Sequence, residues 1–206
     1  MSAPKLSFEE SLQENVLLKE ICAGCGACIL VCPFTCLEYA EEKPSLVKKC
    51  EICGICPKVC PRYEFSQQSL EKLVFERAHK PEEEFGVYRR LVVAQASDNN
   101  ILRSCQDGGV VSALLTFALK NGMIDAAVVS ATSREKPLFP IPKLASTPQE
   151  VLECAGTRYT YSPNLLALQE AVKQKKKSLA FVGTPCQIQA VRKVEAVPLK
   201  KYSSML

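Results

Sequence analysis

One cysteine rhythm occurs twice in this chain. Residues 22–33 read CAGCGACILVCP and residues 50–61 read CEICGICPKVCP, so Cys22, Cys25, Cys28 and Cys32 recur as Cys50, Cys53, Cys56 and Cys60, each run closed by a proline. The spacing C-x2-C-x2-C-x3-C-P wraps three thiolates around one centre in a tight loop and sends the fourth into a helical turn that points away. The outward cysteine then serves the other loop's centre. Crossed sets follow: Cys22, Cys25 and Cys28 with Cys60, and Cys50, Cys53 and Cys56 with Cys32. Zinc is the rival occupant, but a tetrahedral zinc site has no use for a third cysteine two residues further on, or for the duplication. Two [4Fe–4S] clusters account for all eight cysteines, with Gly26 and Gly54 letting the backbone approach the sulfides. Cys36 fits neither set and reads as a small apolar filler.

The rest of the composition agrees with a metalloprotein in a reducing compartment. Twelve cysteines in 206 residues would suggest disulfides only in an oxidising setting. The opening MSAPKLSFEESLQENVLLKE has acids in every turn and no apolar stretch of the signal-peptide kind. No run approaches the roughly 18 apolar residues of a membrane span. The expectation is a cytoplasmic protein without a transmembrane segment. The formal net charge, 26 − 22 = +4, is roughly cancelled by two oxidised cubanes carrying about −2 each with their thiolates. With no basic, aromatic-studded stripe either, a nucleic-acid partner is not expected.

Nine of the twelve cysteines lie between Cys22 and Cys60, and the composition changes beyond them. Residues 1–63 read as a ferredoxin-type domain with two clusters, residues 64–90 as a charged helix and a linker broken at Pro81, and residues 91–206 as an α/β domain. Within the last, strands are predicted over 91–97, 124–131 and 178–183. Helices are predicted over 110–120, from Thr147-Pro148, from Ser162-Pro163 and from Thr184-Pro185. Alternating strands and helices predict a mostly parallel sheet. Gly108-Gly109 at a helix entrance suits close approach of an anion to backbone N–H groups, although a lone Gly-Gly serves a plain turn equally well. The turn Gly183-Thr184-Pro185-Cys186 sits where open sheets bind ligands, at the carboxyl end of a strand. Arg158 could clamp a phosphate or carboxylate. Asp107 and Ser162 read as helix caps, Cys105 and Cys154 as buried fillers, and His79 as a surface residue. Lys173, Lys175, Lys176 and Lys177 read as a cationic helix end.

Four stretches carry more than composition: Gln106-Asp107-Gly108-Gly109, Asn121-Gly122-Met123-Ile124-Asp125, Ala155 to Asn164 (AGTRYTYSPN), and Phe181 to Ile188 (FVGTPCQI). In this order and spacing, over roughly residues 91–195, they resemble the beta-subunit family of coenzyme F420-reducing hydrogenase and F420-linked formate dehydrogenase. That family includes the iron–sulfur input subunit of F420 dehydrogenase and a plant 7-hydroxymethyl chlorophyll a reductase. The resemblance implies an FAD-binding module in which FAD trades a hydride with coenzyme F420 and single electrons with the clusters. It implies a redox partner subunit, whether hydrogenase, formate dehydrogenase or another dehydrogenase. It also places Gln106, Asp107, Gly108, Gly109, Arg158, Tyr159, Gly183, Thr184 and Cys186 at the flavin, with Tyr159 packing on the ring. Cys186, in a first helical turn with no histidine nearby, would line that site or join a further cluster rather than act as a nucleophile.

Family members continue past the Gly-Thr-Pro-Cys motif with a second domain that completes the flavin pocket, whereas VRKVEAVPLKKYSSML follows Ala190 here. The expected fold is therefore an α+β ferredoxin-like N-terminal domain and an incomplete α/β flavin-binding domain, the chain being a fragment, a split gene product, or a variant that another chain completes. Two other functions compete: an electron-transfer or docking subunit with clusters but no working flavin site, and a flavin reductase fed by ferredoxin rather than coenzyme F420.

Overall fold

The computed structural model describes residues 5–197 together with Leu199 and Tyr202. A π-helical segment, Glu9–Leu17, leads in, its wide turn marked by the Leu18 N–H donating to the Gln13 carbonyl at 2.9 Å. Phe8, Leu12 and Val16 recur every fourth residue and are all buried, the apolar stripe expected of a helix lying on a core. Next come α1 (Ala27–Val31), the antiparallel hairpin β1 (Leu37–Ala40) and β2 (Lys43–Leu46), and α2 (Cys56–Val59). Both short helices stop at the fourth cysteine of their run. Cys32 and Cys60 leave helical geometry with ψ of 107° and 125°, because the proline after each forbids helical backbone in the residue before it.

The charged stretch forms α3 (Gln67–Phe75), N-capped by Ser66, whose hydroxyl accepts the Ser69 N–H. His79 does not stand free at the surface as expected. Its Nδ1 lies 2.7 Å from Glu71 Oε2, and its backbone N–H donates to the same carboxylate at 2.9 Å. That N–H, aided by Gln67 and the His79 ring, holds the Glu71 carboxyl down at about 2.

The remaining elements are α4 (Asn99–Ser104), α5 (Val110–Lys120), β3 (Ala126–Thr132), β4 (Pro140–Ala145), α6 (Pro148–Glu153), α7 (Ala167–Lys173), β5 (Leu179–Phe181) and α8 (Pro185–Ala196). A 3-10 turn, Asn164–Leu166, runs into α7. α5 covers the predicted span, and capping boxes open α6 (Thr147 with Glu150) and α8 (Thr184 with Gln187). α7 ends at Lys173, so the following lysines are not its last turn. They lie in the turn to β5, where the Lys177 and Ser178 N–H groups donate to Asp125 Oδ2.

Two expectations for the sheet are corrected. Its order is β4-β3-β5, with β3 parallel to β5 but antiparallel to β4, so it is mixed rather than mostly parallel. β4 contains Pro140 and Pro142; prolines are tolerated at a sheet edge and hide the strand from pattern reading. Residues 91–97 form no strand: Leu91, Val92 and Val93 are exposed, and the segment is tied by the Ala96 N–H donating to the Gly108 carbonyl at 2.7 Å. Apolar β-branched residues make a strand only where a sheet edge receives them.

Successive β3 residues face opposite sides. Ala127 and Val129 pack with Leu115, Ala145 and Val151. Ala126 and Val128 belong to a larger buried cluster shared with Leu165, Leu168, Val191 and Val194, and also with Phe8, Leu12 and Val59 from the cysteine-rich part. One core thus runs through both halves of the chain. Further clasps join them: Tyr202 Oη donates to the Leu30 carbonyl at 3.0 Å, and Lys193 Nζ donates to the carbonyls of Cys60 (2.6 Å) and Tyr63 (2.9 Å). Among the described residues no helix is long and apolar enough to cross a membrane.

Candidate functional site

The fold brings the eight repeated cysteines together in two groups. Cys22, Cys25, Cys28 and Cys60 line one small cavity; Cys32, Cys50, Cys53 and Cys56 line another. Cys36 lines the second cavity as well. Among the described residues no three His, Cys, Asp or Glu side chains gather as they would around one ion. The thiols stand around the walls of the two cavities.

Burial dominates the electrostatics here. It pushes the Cys25 thiol up to about 12, with Cys60, Cys22 and Cys186 adding to the rise. Burial does the same for Cys56, also to about 12, with contributions from Cys53, Cys50 and Cys32. Burial raises Cys28 too, with Cys25, Cys60 and Cys22 adding to the rise and also Cys56 across the divide, and a bound cluster would have to displace these protons. Backbone donors already face the sulfurs. The Phe8 N–H reaches Cys50 Sγ (3.4 Å), Gly24 reaches Cys22 (3.5 Å) and Cys36 reaches Cys32 (3.3 Å). Such N–H···S bonds are a means by which proteins set cluster potentials. Cys36 is buried, and its thiol donates to the Lys49 carbonyl.

The second half contributes a cleft of about 1280 Å³, larger than the roughly 300–1,000 Å³ of common small-molecule pockets. All nine candidate flavin residues line it: Gln106, Asp107, Gly108, Gly109, Arg158, Tyr159, Gly183, Thr184 and Cys186. Two long helices, α5 and α8, point their amino ends at this space, which favours an anion such as a diphosphate. Arg158 Nη1 is held by the carbonyls of Ala155 (3.2 Å) and Gly156 (2.9 Å), while its Nε is buried without a hydrogen-bond partner. An orphaned guanidinium donor on the cleft wall is a fitting contact for a phosphate. The residues present fit a dinucleotide flavin.

Other details depart from expectation. Asp107 does not cap α5; Gly109 takes that position at φ 69°, and no side chain caps the helix. A Cβ on Gly109 would lie 2.9 Å from Ile101 Cγ2, so this glycine is required by α4 packing as well as by its backbone angle. Gln106 ties two loops together, its Nε2 donating to Tyr159 Oη at 3.0 Å and its Oε1 accepting the Thr157 N–H at 3.0 Å. Tyr159 itself is 84% exposed, leaving its ring face open to the cleft rather than packed on protein. Cys105 is partly exposed, its thiol donating to the Asp107 carbonyl at 2.9 Å; with Cys154 it lines the cleft. Ser162 is no cap either. Its hydroxyl donates to Asn164 Oδ1 at 2.6 Å in a buried network that includes Ser130 and Gln187. That network stiffens the cleft floor.

Sequence reasoning missed the far wall. Glu20, Ile21, Cys22, Ala23 and Arg62, all from the cysteine-rich part, line the cleft as well. Cys22, Ala23 and Arg62 also line the first cysteine cavity. No local pattern marks them, because their place depends on how the two halves dock. Tyr161 forms part of that joint: a Cβ on Gly24 would approach its ring within 3.1 Å.

Comparison with known proteins places this arrangement among relatives. Residues 91–169 match the family profile described as coenzyme F420 hydrogenase/dehydrogenase, beta subunit N-term. The chain is 42% identical over 116 residues to a coenzyme F420 hydrogenase subunit beta of Methanococcus voltae, covering 56% of this chain and 41% of that protein. It is 33% identical over 193 residues to a coenzyme F420-dependent sulfite reductase of Methanocaldococcus jannaschii, covering 93% of this chain and 28% of the other. Its fold is similar to a chain of the F420-reducing [NiFe] hydrogenase complex from Methanosarcina barkeri (TM-score 0.50, 36% identity, 53% of this chain and 38% of that one). The chain spans less than half the length of each of these proteins.

Proposed function

Because the chain belongs to the coenzyme F420 hydrogenase/dehydrogenase beta-subunit family, we propose that it is an iron–sulfur flavoprotein subunit moving electrons between coenzyme F420 and a redox partner subunit. When bound, FAD supplies the conversion between the two-electron chemistry of the deazaflavin and one-electron traffic, which two [4Fe–4S] clusters carry onward. Arg158 and the amino ends of α5 and α8 would hold the flavin's diphosphate. Tyr159 would offer its exposed ring to the flavin, and Gly183, Thr184 and Cys186 would line the site. Cys22, Cys25, Cys28 and Cys60 would hold the cluster nearer the flavin; Cys32, Cys50, Cys53 and Cys56 would hold the farther one. The partner is a protein, not nucleic acid, in a cytoplasmic setting, and a further segment or chain would complete the flavin pocket.

The observation that carries this reading is contiguity. The cleft with the candidate flavin residues and the first cysteine cavity share Cys22, Ala23 and Arg62 as a common wall. Anaerobic reconstitution with iron, sulfide and FAD tests it. About eight irons per chain are expected, with a bound-flavin absorbance that bleaches on adding reduced coenzyme F420. Arg158→Met should lower flavin affinity about tenfold or more, in keeping with a charged hydrogen bond of about 1.5–3 kcal/mol, and leave the iron content unchanged. No flavin retained, or a flavin that the reduced deazaflavin does not bleach, would defeat the proposal.

A further inference from the structure

We propose that Lys193 of α8 is a positioning residue that raises the reduction potential of the cleft-side cluster above that of its twin. The inference rests on the two-cluster reading above. Lys193 lies far along the chain from the cysteines, yet its ammonium is clamped on the Cys60 carbonyl at 2.6 Å and the Tyr63 carbonyl at 2.9 Å. That seat places the cation on the backbone of a cluster ligand itself. A cluster gains negative charge on reduction, and a nearby half-buried cation, poorly screened by water, favours the more negative state.

Among the described residues no ammonium sits on the corresponding carbonyl of the twin. Cys32 occupies the position equivalent to Cys60, and its carbonyl accepts the Thr35 N–H at 3.3 Å, as the Cys60 carbonyl accepts that of Tyr63 at 3.4 Å. Cations lie near there too: Lys5 packs beside Gly54, and the Lys48 ammonium reaches out to the exposed Thr35 hydroxyl at 3.3 Å rather than to the ligand's own backbone. Glu51 also lines the twin's cavity, with opposite sign. Around the cleft-side set, Glu64 is the carboxylate that partly offsets Lys193.

The test is an EPR-monitored redox titration of the reconstituted full chain, comparing wild type with Lys193→Met and Lys193→Arg. The expected result is a shift of one cluster's midpoint to lower potential in the Met variant, the other midpoint unmoved, and most of the shift restored by Arg. A residue that merely fastens α8 would change thermal stability or iron content without separating the two midpoints. Unmoved midpoints, both moving together, or an Arg variant shifted as far as Met would overturn the proposal. If the Met variant takes up less iron than wild type, Lys193→Gln is titrated in its place, and an unshifted midpoint there overturns it equally. A wild-type chain that binds no iron sinks the cluster reading itself, a result distinct from any of these.

Discussion

The two cysteine loops share a spacing but not their surroundings. At corresponding positions the first loop has Gly24 and Gly26 where the second has Ile52 and Gly54. A Cβ on Gly26 would lie 2.9 Å from Leu166 Cγ, and one on Gly24 2.9 Å from the Glu42 carbonyl oxygen and 3.1 Å from Tyr161. Around Gly54 the nearest atom is Lys5 Cβ at an ordinary 3.4 Å, and Ile52 is 49% exposed. The first loop is thus pressed against the α/β half and shares a wall with its cleft; the second faces outward. An identical ligand pattern can serve an inner and an outer station when packing, rather than ligation, makes the distinction.

That contrast can be broken most directly at the ligands. Cys25→Ser is expected to remove the inner cluster, cut iron to roughly half, and leave a flavin that reduced coenzyme F420 bleaches but that passes no electrons to an external one-electron acceptor. Cys53→Ser should halve the iron too, yet keep the inner cluster reducible through the flavin. Iron analysis with stopped-flow absorbance separates the two, and equal behaviour of both variants would erase the inner–outer distinction.

A second comparison sharpens it. Gly54→Ala carries only the backbone cost of a residue at φ 68°, about 1–2 kcal/mol. Gly26→Ala at φ 82° adds the collision with Leu166, a further ~1–3 kcal/mol of overpacking. Anaerobic urea titration should find the Gly26 variant the less stable, and the reverse order would contradict the packing described.

The smallest effect concerns α3 and the segment that follows it. The Glu71 carboxyl, held at about 2 against an ordinary 4.5, stabilises the fold fully above pH 4.5 and loses that contribution as the pH falls through 2. Wild type should therefore exceed Glu71→Gln in stability at neutral pH, and urea titrations should show the gap narrowing below pH 4.5. Neither variant should alter the inner–outer order of the clusters.

What could be read in advance was whatever neighbouring residues decide among themselves. Thr147-Pro148 and Thr184-Pro185 announced α6 and α8 through capping chemistry. Residues 91–97 misled because an apolar β-branched run names a strand only if a partner edge exists. β4 escaped because Pro140 and Pro142 mask an edge strand. Arg62, Ile21 and Lys193 were invisible as site residues for one reason: each acquires its role only once α8 and the cysteine-rich part meet. Gln106 shows the intermediate case, its presence at the cleft foreseen and its use as a loop-to-loop tie not.

The buried cluster that runs from Phe8 and Val59 to Val128 and Val194 has a kinetic corollary. Carriers on separately folded modules must swing or collide before each handover, so thickening the solvent slows them. With the flavin and clusters seated as proposed, the gap between donor seat and first relay would be fixed once, when the chain folds, and no tethered search would precede each jump. Passage from cleft to inner station should run at the same pace in buffer and in glycerol.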